Sequence, residues 1–202
     1  MLATRRLLLI ILVAWTLIFI FSKSPSLREK RENNYITIAA IDLGTETTAH
    51  KDFINKLTQN TELSQRATIR VFLGPYALLF GNKGILIQTP PNYYVFIDTN
   101  FYRSLNQNEK EALIAHELGH AVYKINFMDK LRLRILNKLK VLNSQYNEFF
   151  TKDQIRADQF SAEKTSPGAM ISLLNKLYLT DKYNRDYRMR IRSLGGELKQ
   201  GH

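Results

Sequence analysis

The spacing of apolar residues changes several times along this chain. Leu7 to Phe21 runs without a charge, with Thr16 as its one polar member. As a helix that run rises about 23 Å, short of a hydrocarbon core of roughly 30 Å. Leu2 and Ala3 extend it, and the stems of Arg5 and Arg6 can lie along it with their charges at the interface. No A-x-A cleavage site follows, which favours an uncleaved single-pass membrane anchor over residues 1–22 above a cleaved signal peptide. Basic residues flank both ends (Arg5 and Arg6; Lys23, Arg28, Lys30 and Arg31). The positive-inside rule therefore does not orient the segment. Residues 23–34 are polar and charged and read as a linker.

Beyond the linker the period is first about two. "YITIAAI" (Tyr35 to Ile41) has the composition of a short strand, with "DLGTET" as its exit turn. "AHKDFINKLTQ" interrupts with Phe53, Ile54 and Leu57 at helical spacing. "ATIRVFL", "ILIQT" and "YYVFIDT" (Tyr93 to Thr99) are β-branched and aromatic, and the turn signals "GNKG" and "PPN" separate them. A small antiparallel or mixed sheet is expected across residues 67–99. "YYVFIDT" is the candidate exposed edge to which an extended peptide could add as a further strand.

The period then becomes helical. Asn106 can cap a helix, with Glu109 three positions later as its capping-box partner. The pattern predicts a helix from about Gln107 to about Lys124. "LRLRILNKLKVLNSQY" reads as a basic amphipathic helix, and "DQIRADQFSAEK" as another. "PGAMISLLNKLYLT" starts with Pro167 near a helix N-terminus. These elements predict one α+β domain over residues 35–202.

Composition narrows the picture. A hydrophobic share of 45% and a charged share of 23% belong to a globular chain and exclude wholesale disorder. The absence of cysteine excludes disulfides, thiol catalysis and thiolate metal ligands. The net charge is +11. Part of the excess lies in Lys130, Arg132, Arg134, Lys138 and Lys140, and part in Arg185, Arg188, Arg190 and Arg192. Such a basic run is either a solvated helix face or a contact for anionic lipid. No nucleic-acid motif accompanies it, so nucleic acid is not an expected partner.

Of four histidines, two stand in "AHELGH" as H-E-x-x-H. Residues four apart lie on one face of a helix, so His116 and His120 can offer imidazole nitrogens to one zinc ion. Glu117 is about 100° around the axis. That places it beside the metal, where it can act as general base toward the activated water and return the proton to the leaving amine. Random placement yields this pattern roughly four times in a thousand chains of this composition. The competing reading is a buried helix with two structurally satisfied histidines. Gly119 costs the helix about 1 kcal/mol relative to alanine, which points to close approach by a neighbouring element. His50 and His202 are expected to face solvent.

"LNQNEKEALIAHELGHAVY" and "QIRADQFSAEKTSPGAMISLLNKL" resemble the HtpX-like and CAAX prenyl-protease zinc metallopeptidases (HExxH gluzincins, peptidase family M-forty-eight). The tail "RMRIRSL" is similar to that family's R-I-x-x-L. The resemblance spans about Val71 to Leu194. It implies a zincin-like α+β domain with a small sheet and an active-site helix, a Zn2+ cofactor, and a metalloendopeptidase acting on protein or peptide. That family takes its third zinc ligand from a glutamate four residues before an A-D aspartate. Here the aspartate is Asp158 and the matching position holds Gln154. A glutamine oxygen is a neutral, weak ligand, so Asp153 is the alternative donor, and Glu148 could also reach in. The resemblance has Asp158 hydrogen-bonding a ligand histidine and fixing its tautomer, against an ordinary helix-surface carboxylate. Arg190 matches the family arginine and either organises the site electrostatically or forms a surface salt bridge. Before that arginine the family often has a His-Pro pair, where this chain has Asn184 and Arg185.

Two other readings remain open. Gln154 fits a pseudopeptidase that serves as a membrane-tethered binding module. A histidine-pair helix with a later E-x-x-A-N segment also occurs in zinc peptidases that cleave phage-type repressors; the aspartate after Ala157 and the hydrophobic N-terminus lean away from those.

Overall fold

A computed structural model describes residues 35, 37–59, 61, 63, 67–80, 83–89, 91–123, 143–180 and 186–197, with backbone alone at 79, 80, 143–150 and 180. The elements run in the order α1 (37–42), β1 (Thr45–Thr47), α2 (Lys51–Thr58), β2 (Thr68–Gly74), α3 (Tyr76–Phe80), β3 (Gly84–Thr89) and β4 (Asn92–Asp98). Then follow α4 (Thr99–Ser104), α5 (Gln107–Val122), α6 (Asn143–Lys164), α7 (Pro167–Thr180) and α8 (Asp186–Ser193). Strand order in the sheet is β1-β2-β4-β3. β2 and β4 are parallel, and the outer strands pair antiparallel to them.

The alternation along the strands sorts two apolar faces. Val71, Val95 and Ile97 join Leu113, Ile114, Leu118, Phe160, Met170, Leu173, Leu174 and Ile191 in the main core between sheet and helices. Phe72 and Phe96 face the other way, stacked with centroids 5.5 Å apart, and pack with Tyr76, Ile87 and Ala40. β4 is covered on both faces and paired along both edges. It therefore reads as an almost continuous apolar run.

Caps fix where helices start. Asp98 ends β4 by accepting from the backbone N–H groups of Asn100 and Phe101 through Oδ1, and from Ala77 through Oδ2. Asn106 and Glu109 form the expected capping box. Glu109 is also buried and accepts from Ser172 Oγ and Lys176 Nζ, each at 2.7 Å. The start of α5 is thereby tied to α7.

Several expectations are corrected. Tyr35 to Ile41 does not form a strand; residues 37–42 are helical, and β1 lies inside the segment expected to be a turn. Tyr93 to Thr99 is not an exposed edge, because β4 pairs with β2 on one side and β3 on the other. β3 is the outer strand on that side. His50 does not face solvent: it is 2% exposed. The other element boundaries fall within a few residues of those expected, apart from α6, which starts ten residues earlier. The anchor at 1–22, the linker at 23–34, the basic run Lys130 to Lys140 and His202 lie outside the described residues. No described helix is long and apolar enough to cross a membrane.

Candidate metal centre

α5 and α6 pack closely and antiparallel: Ala112 meets Ser161, His116 meets Asp158, and His120 meets Gln154. The approach is set by small residues. A Cβ on Gly119 would stand 2.9 Å from the Ala157 Cα and 3.2 Å from its carbonyl oxygen. The backbone of α6 thus occupies the space that any larger residue at 119 would need, which accounts for a glycine in mid-helix.

That proximity brings two acidic side chains behind two rings. His116 and His120 sit one turn apart on α5 with ring centroids 4.8 Å apart, nearly perpendicular. Asp158 Oδ1 lies 2.8 Å from His116 Nδ1. The approach lies off the ring N–H axis, since Nδ1 has no aligned hydrogen-bond acceptor. Asp153 Oδ2 lies 2.9 Å from His120 Nδ1. Both Nδ1 edges thus face carboxylates, which favours the tautomer with its proton on Nδ1 and a lone pair on Nε2.

Asp158 is 0% exposed and is shared with Arg190. The guanidinium donates from Nε to Oδ2 at 2.6 Å and from Nη2 to Oδ1 at 2.8 Å. Burial alone would raise the Asp158 pKa, but the paired hydrogen bonds from Arg190, with the His116 ring close by, outweigh it and hold the carboxyl below its usual range. Arg190 is itself buried, so this is no surface salt bridge. Burial would lower the His120 pKa; Asp153 and Glu117 override it and move it up.

Gln154 sits on the other edge of the His120 ring, its amide nitrogen 3.3 Å from Nε2. The two ends of a planar amide are nearly equal in size, so a half-turn about its last torsion presents the oxygen there instead. Adjacent residues on α6, about 100° apart, thus hold the two edges of one ring. Glu117 is buried beside the pair. Its Oε1 fills the space where Gly84, at the start of β3, would carry a Cβ, 2.8 Å away. β3 also reaches α5 at its other end, where Gln88 Nε2 donates to the His120 carbonyl at 3.4 Å.

These donors fit a divalent metal. Two imidazoles from one helical turn have carboxylates at their Nδ1 edges, and the Gln154 amide, whose oxygen can turn toward a metal, stands at the Nε2 of His120. Among the described residues no cluster of three His, Cys, Asp or Glu side chains could hold a metal, so the carboxylate expected of a three-ligand site has no counterpart there. The side chain of Glu148 is not among those described. His50 belongs to a different corner, with Nε2 2.6 Å from the Tyr102 hydroxyl. Sequence reasoning placed Asp153 as a ligand alternative and did not foresee it behind His120. The signal was present in its register, one position and so 100° from Gln154.

No curated protein and no solved structure matches the chain. The family model described as "Putative phage metallopeptidase" matches residues 51–151, a span that includes α5 and its histidines, and the chain belongs to that metallopeptidase family.

Proposed function

We propose that the protein is a zinc-dependent metalloendopeptidase with His116, His120 and Gln154 as protein ligands and Glu117 as general base. The observation that carries this is the histidine pair, His116 buried and His120 half-buried, with a carboxylate behind each Nδ1 and the buried Glu117 carboxylate beside them. His116, His120 and Gln154 would hold a zinc ion, which would supply Lewis acidity toward an attacking water and the scissile carbonyl. Glu117 would serve as the proton acceptor for the attacking water and the proton donor to the leaving amine. Asp158, locked by Arg190, keeps His116 in one orientation. β3 is the outer strand next to Glu117, so a peptide added along it would bring its backbone to the catalytic carboxylate. The finer relation to the HtpX-like and CAAX prenyl-protease enzymes is supported by Asp158 and Arg190 at the matching positions. A membrane location through residues 1–22 is supported by the uncharged run Leu7 to Phe21. Contact of the Lys130–Lys140 run with anionic lipid is supported by its charge alone.

Gln154 favours a second reading, a pseudopeptidase acting as a tethered binding module. A binding scaffold has no need of Glu117. Metal analysis of the gently purified chain, with casein digestion by wild type and Glu117→Gln, separates the two. Stoichiometric zinc with cleavage lost in Glu117→Gln is the expected result. A metal-free protein without activity would establish the module instead.

A further inference from the structure

The metal site has a charge problem that one residue outside the ligand set can solve. His116, His120 and Gln154 are all neutral donors, and they leave a divalent cation uncompensated between two packed helices. Burying such charge without a counter-charge is costly. Three carboxylates lie close by. Asp158 is held bidentately by Arg190, which matches its charge. Glu117 has to accept and release a proton, so its charge is not a fixed one. Asp153 has no lysine or arginine partner among the described residues, and its side chain is 15% exposed. It meets His120 Nδ1 at 2.9 Å, on the ring whose Nε2 faces Gln154.

We propose that Asp153 is a positioning residue for the metal, standing behind His120 and supplying there the negative charge that Gln154 does not bring to the ligand position. This rests on the metallopeptidase reading above. Relative to the glutamate that the resemblance implies at position 154, this carboxylate stands one residue earlier on α6, on the far side of the His120 ring. Charge donated through Nδ1–H strengthens Nε2 as a donor, and the contact fixes the ring's tautomer and plane. A neutral amide then suffices as third donor. Compared with a carboxylate ligand, the arrangement keeps the negative charge off the side of the ring where the developing oxyanion would be repelled by it.

The test is zinc affinity, measured by chelator competition on the full chain in mild detergent, for wild type, Asp153→Asn, Gln154→Glu and the double variant. Asp153→Asn should weaken zinc by about 10–100-fold, the usual loss for a partner of a ligating histidine. Gln154→Glu should tighten it, and the double variant should return to within about threefold of wild type. Nitrogen-15 NMR of the metal-free protein near pH 9, where the ring is neutral, reads the contact without metal or activity. His120 should carry its proton on Nδ1 in wild type and lose that preference in Asp153→Leu. Wild-type zinc affinity in Asp153→Asn, or a double variant no tighter than Asp153→Asn, overturns the role of Asp153 and leaves the metallopeptidase reading intact. A wild type that holds no zinc overturns both.

Discussion

Two corners of this protein bury histidine, and they do so on opposite terms. At the α5–α6 interface the rings of His116 and His120 have carboxylates at Nδ1. At the corner of α2 and α4, His50 is shielded from water as His116 is and more fully than the half-buried His120, yet its Nε2 meets only the Tyr102 hydroxyl, and its Nδ1 has no hydrogen-bond partner. The first arrangement leaves Nε2 available and favours positive charge nearby. The second leaves the ring apolar in effect, a packed neutral side chain edge-on to Tyr102. Burial is common to both and so does not mark the candidate site. The carboxylate behind the ring does, and helices as close as α5 and α6 deliver it.

The comparison is tested most severely by removing Glu117, the group proposed to act on protons. Glu117→Gln keeps the shape of the buried side chain, so folding and zinc content should survive. The value of kcat/KM should fall by about 10²–10⁴-fold, the usual share of a general base. If casein cleavage persists at the wild-type rate, the α5–α6 corner is no more catalytic than the His50 corner.

Next in size is the ion pair that locks His116. Arg190→Met strands the fully buried Asp158 carboxylate, and a broken buried pair costs about 3–5 kcal/mol. Urea unfolding should show that loss. Asp158→Leu combined with Arg190→Met should recover much of the stability, because paired apolar side chains often replace a buried ion pair without penalty. It should not recover zinc affinity, since His116 then has no carboxylate behind it. Recovery of both would mean the pair serves only the fold.

These effects also show what was legible beforehand. The histidine pair and Glu117 stood out because three chemical groups at fixed helical spacing are rare by chance. The capping box, the strands β2, β3 and β4, and α7 followed from periodicity and local hydrogen bonding, which act within a few residues. Tyr35 to Ile41 does not follow its composition because β-branched residues in so short a run do not settle the backbone; the helix instead packs Ala40 with Tyr76, whose hydroxyl donates to the Ala40 carbonyl. β4 was mistaken for an edge because strand order is a tertiary property: a run covered on both faces looks apolar whichever neighbours it has. The burial of Arg190 and His50, and the place of Asp153, depend on contacts more than thirty residues away in sequence, which no local pattern encodes.

Two glycines sharpen the comparison further, because each yields space to the metal corner in a different way. Gly119→Ala drives a Cβ into the backbone of α6, which cannot give way easily. It should cost about 1–3 kcal/mol despite the better helix propensity of alanine. Gly84→Ala meets only the end of the Glu117 side chain, which can rotate. Its stability should change by less than about 1 kcal/mol, while peptidase activity drops as the carboxylate is displaced. A fully active Gly84→Ala would detach β3 from the proposed peptide path.

The smallest effect reads both corners in one titration of the metal-free protein. Burial lowers the pKa of His50 from its ordinary 6.5, only partly offset by Glu111 and reinforced by Lys110. The unfolded chain then binds a proton more readily than the folded one, so stability should decline as pH falls below about 6.5. For His120, burial is outweighed by Asp153 and Glu117 and the folded pKa is raised. Its contribution is present below about 6.5 and lost as pH rises through the folded value. Asp158 and Glu109 have depressed pKa values, Glu109 through Lys176, Ser172 and the Asn106 N–H against the opposing effect of burial. They bear on stability only below about 4.5, so they do not disturb the window. Stability should therefore peak near pH 6.5, with one histidine governing each slope. His50→Gln should flatten the acid slope between about pH 5 and 6.5 and leave the alkaline one unchanged. Asp153→Asn should do the reverse. If either variant moves the other's slope, the two corners are coupled, and the carboxylate behind the ring does not by itself account for their difference.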